Sequence, residues 1–365
     1  MIRRPPRSTL DRSSAASDVY KRQAKHYGCL VPLPSSPVHA SDNSLHDYPT
    51  GGWVRISDAG ESCPDWPTCF GTWGFDISAE EQEQWWEENP DEVDSRGAEH
   101  RYTSDQIFTE WLHRGLVGII GILVLYSHYT TWALREEIGE KIYKIHFLVT
   151  VLLVMQAVVG YITVDLDNAP WTVALHLFMA LMFTSSLLAV GIMWWHNQTK
   201  FYLLIDVKNE KMMNVLWFMA FFLLLQMLIG ALLSSGYHRG ACGIGFTSGW
   251  PLCHGKIIPE LTQFGTIIQF IHRISAILIA GFLIWGRKWV NENNGKSILS
   301  VFIDVALGLY IIYIGIGGLY LIMAGEGTFP GWVSLLHLLI GTMSFLSMAV
   351  AYLLCNTSQK EVDNG

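Results

Sequence analysis

The chain has 365 residues, of which 50% are hydrophobic and 15% charged, and its mean hydropathy is +0.28. This composition is too apolar for a soluble domain of that length and indicates a membrane protein. The formal net charge of −8 comes largely from residues 80–99. Because no basic face accompanies the aromatic residues, we expect no nucleic-acid partner.

The first 50 residues are predicted to take no part in the fold. Residues 1–23 are basic and rich in serine, and they lack the apolar run that an export signal requires. They are typical of translated sequencing adaptor. Residues 24–50 carry no hydrophobic period, which predicts disordered or mis-assembled sequence.

Seven stretches further along the chain are long and apolar enough to cross a bilayer. A hydrocarbon core of about 30 Å takes roughly 20 apolar residues in a helix. The sequence therefore predicts an all-α polytopic membrane protein. The predicted spans are 109–134, 145–163, 171–195, 213–233, 266–286, 298–324 and 331–354.

The distribution of Lys and Arg in the loops predicts the orientation. The loops after the first, third and fifth spans carry Lys and Arg, so they face the cytoplasm or its equivalent. Residues 51–107 then form an extracytoplasmic segment, and the long loop 234–265 also faces outward. On that oxidising side, where free thiols are the alternative, we expect disulfides between Cys63 and Cys69 and between Cys242 and Cys253.

The sequence contains an internal repeat. His113-Arg114 recurs as His272-Arg273, 159 residues later, and His176 recurs as His337, 161 residues later. The repeat also matches residues 66–71 with 250–255, each beginning with Trp-Pro and containing a cysteine. A related match joins Gln156-Ala-Val-Val-Gly160 to Gln226-Met-Leu-Ile-Gly230.

The repeat predicts two pseudo-symmetric four-helix bundles in tandem. The C-terminal bundle spans residues 213–354 and contains four predicted helices, followed by a cytoplasmic tail at 355–365. The N-terminal bundle spans 108–212 and contains three. We therefore expect that the first helix of the N-terminal bundle is missing from this chain.

Each half supplies two histidines near the outer ends of its helices. A single histidine on an apolar helix is more often a hydrogen-bonded packing residue than a ligand. Two facing imidazoles in a four-helix bundle, however, are the usual axial ligands of a b-type haem iron. The predicted pairs of iron ligands are His113 with His176 and His272 with His337.

The two predicted sites differ in one charged residue. Glu110 lies one helical turn before His113, whereas Gln269 is the equivalent residue before His272. A carboxylate at the membrane boundary is costly, so we predict a catalytic role in proton transfer, with a solvated helix start as the alternative. Arg114 and Arg273 are candidates for binding haem propionates, with interfacial snorkelling as the alternative.

Several of these motifs together resemble the haem A synthase family, in its bacterial, cysteine-containing branch. The resemblance covers roughly residues 51–354 and is carried by residues 54–69, by Glu110-Trp111-Leu112-His113-Arg114, and by the later histidines His176, His272 and His337.

The resemblance implies an eight-helix membrane enzyme that oxidises the methyl group of haem O to the formyl group of haem A by successive hydroxylation. It implies that Glu110 is catalytic, that His113 and His176 bind the iron of the substrate haem, and that His272 and His337 bind a cofactor haem b. A haem O synthase is the implied partner. The bacterial cytoplasmic membrane is the expected location, or the mitochondrial inner membrane if the source is eukaryotic.

Two other functions remain compatible with the residues alone. A dihaem b-type electron carrier that reacts with quinone needs the same four histidines but not Glu110. A transporter built from parallel repeats needs no haem. The surrounding lipid bilayer is the remaining expected partner. The sequence leaves open whether the chain forms a homo-oligomer.

Overall fold

The computed structural model describes residues 50–199, 210–325 and 328–358. Within these ranges the chain forms helices and loops without strands, and seven helices are long and apolar enough to cross a membrane. The prediction of an all-α polytopic membrane protein is therefore confirmed. Three predictions concern residues that lie outside the described ranges: those for residues 1–23, for 24–49 and for most of the 355–365 tail.

Most ends of the seven long helices lie within a few residues of the ends of the predicted spans. Three short helices are α1 (Thr50–Ile56), α2 (Ala79–Glu88) and α4 (Arg135–Ile138). The long helices are α3 (Ser104–Ala133), α5 (Glu140–Asp165), α6 (Pro170–Thr199), α7 (Glu210–Ser235), α8 (Phe264–Asn294), α9 (Ile298–Ile322) and α10 (Gly331–Ser358).

Helix α3 begins five residues before the predicted span because its first turn is capped. The Thr103 hydroxyl accepts a hydrogen bond from the backbone N–H of Gln106 at 3.3 Å. In return, the Gln106 side-chain oxygen accepts one from the backbone N–H of Thr103 at 3.0 Å. This reciprocal capping satisfies donors that a helix end otherwise leaves free, so polar residues can start the helix before the apolar run.

The last four helices form a closed ring. Helix α7 packs against α8, α8 against α9, α9 against α10, and α10 against α7. Helices α8 and α10 therefore stand at opposite corners of the bundle. Large buried side chains fill its core, among them Leu216, Met219, Leu283, Ile303, Tyr310 and Met348.

The first three long helices form an arc that shares a wall with this ring. Helix α5 packs against both α3 and α6, and α6 also packs against α7 and α10. The short helix α1 contacts α3 and α10. Helices α3 and α6 occupy the same relative positions as α8 and α10, as the sequence repeat predicts.

The outer segment between α1 and α3 is folded, whereas the sequence predicts only its location. The Cys63–Cys69 disulfide lies in a small core with Phe70, Trp86 and Tyr102. Outside this core, Arg96 forms an ion pair of 2.8 Å with Glu61, which is 6% exposed. A second disulfide joins Cys242 to Cys253 in the loop before α8.

Candidate functional site

The four repeated histidines lie at similar depth in their helices. His113 is in α3, His176 in α6, His272 in α8 and His337 in α10. With a rise of 1.5 Å per residue, they lie roughly 9–14 Å from the outer ends of these helices. His113 interacts electrostatically with His176, and His272 with His337, so the members of each predicted pair are neighbours.

Three of the four imidazoles pack against a glycine of an adjacent helix. A Cβ atom added at Gly317 would lie 2.9 Å from Cε1 of His337. Similar additions at Gly160 and Gly230 would lie 3.0 Å and 3.1 Å from Cε1 of His176 and His272. Any larger residue at these positions would push the ring away, so the glycines determine where the imidazoles lie.

In the C-terminal bundle, both imidazoles are held through Nδ1. His272 Nδ1 lies 3.1 Å from the side-chain nitrogen of Gln226, whose oxygen accepts a hydrogen bond of 2.6 Å from Ser275. His337 Nδ1 lies 3.0 Å from the carbonyl oxygen of Tyr313, and the two rings stack with centroids 3.9 Å apart. These contacts leave the Nε2 atom of each ring for a ligand.

In the N-terminal bundle, the imidazoles are held less firmly. The side-chain nitrogen of Gln156 lies 3.2 Å from Nε2 of His176. His176 Nδ1 is buried, and within the described residues it has no hydrogen-bond partner. His113 is half-buried next to Arg114, and no hydrogen bond to its ring is found in the described part of the chain.

The carboxylate of Glu110 is buried beside the first pair. Glu110 is 5% exposed, and it accepts a hydrogen bond of 2.8 Å from Nε of Arg114. Nη1 and Nη2 of Arg114 donate to the carbonyl oxygens of Cys63, Asp65 and Thr68 in the outer segment. The guanidinium thus joins the carboxylate to the cysteine loop, and its charge stabilises the buried anion.

The equivalent residue of the second half has a different set of partners. Gln269 is 2% exposed, and its side-chain nitrogen donates to the carbonyl oxygen of Arg239 at 2.6 Å. Its oxygen accepts a hydrogen bond from the backbone N–H of Cys242. Gln269 therefore bonds directly to the backbone of the cysteine loop in its own half. Glu110, in contrast, carries a charge and bonds to the side chain of Arg114.

The two arginines that follow the histidines share one contact and differ in another. Nη1 of Arg114 donates to Thr68 and Nη1 of Arg273 donates to Leu252, which are equivalent residues of the repeat. Nη2 of Arg273 is buried without a partner in the described residues. Arg273 therefore has a buried nitrogen, Nη2, with both of its donors available for an anion such as a haem propionate.

These features fit a porphyrin in each half. The two histidine-bearing helices of each half do not pack directly on each other. A macrocycle bound between two histidines requires this spacing. The glycines give the rings clearance, and Arg273 has an unsatisfied buried donor that would suit an anionic substituent. The residues present are thus compatible with haem.

Two further histidines in the described helices form hydrogen bonds with hydroxyl groups. His146 is 2% exposed, and its Nε2 lies 2.8 Å from the hydroxyl of Ser127. His128 Nδ1 lies 3.0 Å from the hydroxyl of Thr150. Both rings therefore have hydroxyl partners near the inner ends of α3 and α5.

The sequence singles out the histidines but misses the residues that hold them. Gln156, Gln226 and Tyr313 contact the rings, and each precedes by four residues the glycine against which that ring packs. The repeated Gln-x-x-x-Gly pattern in α5 and α7 was the available signal. Its meaning depends on contacts between helices, which the pattern alone does not specify.

The fold and the site define a class of protein: a helical membrane protein with a pair of neighbouring imidazoles in each of two related halves. The family model described as "Cytochrome oxidase assembly protein" matches residues 49–350. The chain belongs to this family.

Several bacterial relatives carry the name Heme A synthase. The protein from Shewanella oneidensis is 24% identical over 289 residues, which cover 73% of this chain and 81% of the relative. The protein from an Exiguobacterium species is 23% identical, covering 81% of this chain and 86% of the relative. The protein from Shouchella clausii is 26% identical, covering 72% and 77%.

Proposed function

We propose that this protein is a haem A synthase, an oxidoreductase that converts the methyl group of haem O to the formyl group of haem A. The observation that carries the proposal is the single buried carboxylate beside one of two equivalent histidine pairs. Glu110 lies one turn from His113, and Gln269 takes its place beside His272. The relatives named Heme A synthase support the same activity.

In this proposal the N-terminal bundle, residues 108–212, binds the substrate. His113 and His176 would hold haem O by its iron, and the buried carboxylate of Glu110 would be placed to accept a proton at the methyl group that is oxidised. Arg114 fixes the position of that carboxylate through the 2.8 Å hydrogen bond.

The C-terminal bundle, residues 213–354, would bind a cofactor haem b through His272 and His337. When bound, this haem would supply a one-electron redox centre. The contacts with Gln226 and Tyr313 orient the two imidazoles, and the carbonyl oxygen of Tyr313 can accept the Nδ1 proton of His337, as is typical for a histidine that binds a metal. Arg273 would bind a propionate with its unsatisfied Nη2.

The proposed setting follows from the same reaction. The seven spans make the chain an integral multi-pass membrane protein. The bacterial cytoplasmic membrane is the proposed location, because the named relatives are bacterial. Haem O is the proposed substrate, so an enzyme that makes haem O is the proposed partner, and self-association is compatible with this arrangement.

The variant Glu110→Gln tests the proposed function. The amide keeps a hydrogen-bond acceptor for Arg114 but removes the charge and the proton acceptor. We expect the haem A yield in membranes to fall by at least about 100-fold, as is usual when a general base is lost. The haem content of the purified protein should be retained, which is measured from its visible spectrum and by chromatography of the extracted haems.

The matched control is Glu83→Gln, which neutralises another carboxylate that is paired with an arginine, Arg101, and that is exposed on the outer segment. It should leave the haem A yield unchanged. If Glu110→Gln also left the yield unchanged, the chain would instead be a dihaem electron carrier. A purified wild-type protein without haem absorbance would contradict both functions and favour a transporter.

A further inference from the structure

Two glutamines in equivalent sequence patterns contact different nitrogens of their histidines. In α5, Gln156 lies 3.2 Å from Nε2 of His176, and Gly160 clears the ring. In α7, Gln226 lies 3.1 Å from Nδ1 of His272, and Gly230 clears the ring. The two glutamines occupy equivalent places in the repeat, but they contact different ring nitrogens.

This difference matters because the two nitrogens have different roles in a metal ligand. Nε2 is at the tip of the imidazole, far from the backbone, and an iron ion would take its lone pair. Nδ1 then carries the proton, which a neighbouring group usually accepts. Gln226 contacts Nδ1 of His272, so it does not compete with iron for Nε2. Gln156, in contrast, donates to the lone pair that iron would need.

The two amides are also anchored differently. Gln226 is held at both ends, because its nitrogen donates to the carbonyl oxygen of His272 at 2.9 Å and its oxygen accepts from Ser275 at 2.6 Å. The side-chain oxygen of Gln156 is buried, and no partner for it exists in the described residues. One hydrogen bond holds the amide of Gln156 and three hold that of Gln226, so Gln156 can move away from its histidine at lower cost.

We propose that Gln156 is an exchange residue for the N-terminal haem: its amide takes over Nε2 of His176 when haem leaves and yields that nitrogen when haem binds. The inference rests on the proposed function, in which this bundle must release its product while the other bundle keeps its cofactor. Without the amide, departure of haem would leave a buried ring nitrogen unpaired, which is unfavourable. Gln156 acts through His176 and is a positioning residue.

The variant Gln156→Leu separates this role from a structural one. In the purified full-length protein carrying its haems, excess apomyoglobin captures any haem that dissociates. Chromatography of the haem that remains then reports each half separately, because haem O or A and haem b differ chemically. Gln156→Met, whose side chain is of similar length and flexible, is the second variant if the leucine variant fails to fold.

We expect Gln156→Leu to slow the loss of haem O or A by about five-fold, the effect of one hydrogen bond, and to leave the loss of haem b unchanged. The contrasting variant Gln226→Leu should accelerate the loss of haem b alone. Unchanged or faster loss of haem O or A from Gln156→Leu and Gln156→Met would overturn the exchange role while leaving the proposed function intact. A wild-type protein that binds haem b but no haem O or A would overturn both.

Discussion

At the scale of single residues, the site depends as much on small and neutral side chains as on its histidines. Each of three imidazoles occupies space that exists only because a glycine faces it. Each ring also receives a contact from the residue four positions earlier on the same helix as that glycine. The helical period places both residues on one face, so one helix positions the ring of another.

The variant Gly317→Ala tests this dependence in α9. The added methyl group would lie 2.9 Å from Cε1 of His337, which is too close for the ring to stay in place. We expect a shifted or weakened low-spin haem signal from the C-terminal half, measured by electron paramagnetic resonance, with no change in the N-terminal signal.

Gly315→Ala is the matched control, because no atom lies within 4 Å of the added methyl group two residues earlier in the same helix. It should leave both signals unchanged and slightly stabilise the helix. Equal spectral effects of the two variants would show that the glycine contact does not position His337.

The histidines could be predicted from the sequence, whereas most of their partners could not. A histidine pattern that recurs at matching places in two apolar halves is conspicuous, since polar residues are rare within membrane spans. Gly317 is one of 33 glycines, and Tyr313 contacts His337 through its backbone carbonyl and its ring. A backbone contact leaves no residue-specific signal in a sequence.

At the scale of elements, the outer segment is fastened to the membrane helices by charged side chains. Arg96 bonds Glu61, and Glu61 also accepts a hydrogen bond of 2.6 Å from Asn168 in the loop between α5 and α6. Burial alone would lower the pKa of Arg96, but the hydrogen bond with Glu61 raises it overall. The segment therefore bridges the outer ends of the N-terminal helices.

The variant Arg96→Ala should detach this segment. It leaves the buried charge of Glu61 without its cation, and losing one partner of a buried pair costs about 3 kcal/mol. We expect faster proteolytic cleavage within residues 57–103, while α3 to α10 stay protected.

The double variant Arg96→Met with Glu61→Gln should restore much of the resistance, because neither charge is then buried alone. Equal cleavage of the wild type and Arg96→Ala would contradict a fastening role for the ion pair.

The long helices could be predicted from apolar length alone, but the fold of the outer segment could not. Its core depends on a few contacts between residues far apart in sequence, such as Trp86 with Tyr102, at a ring-centroid distance of 6.2 Å. The α2 helix is short and acidic, so it has no apolar run to reveal it. Its start is fixed by a capping box in which Ser78 and Glu81 bond each other's backbone.

At the scale of the whole molecule, one architecture is used twice with different chemistry. The C-terminal ring of four helices holds both of its imidazoles through Nδ1 and fixes its cysteine loop with a neutral amide. The N-terminal arc has a buried ion pair at the equivalent place and holds its imidazoles less firmly. This asymmetry supports the proposal that the C-terminal half keeps a cofactor and the N-terminal half exchanges a substrate.

The most direct test of the account is the number of low-spin haem signals in the electron paramagnetic resonance spectrum of the purified protein after single histidine substitutions. The account predicts two bis-imidazole signals in the wild type, of which His113→Ala removes one and His272→Ala removes the other. If both signals survived either substitution, or one substitution abolished both, the assignment of one imidazole pair to each half would be wrong.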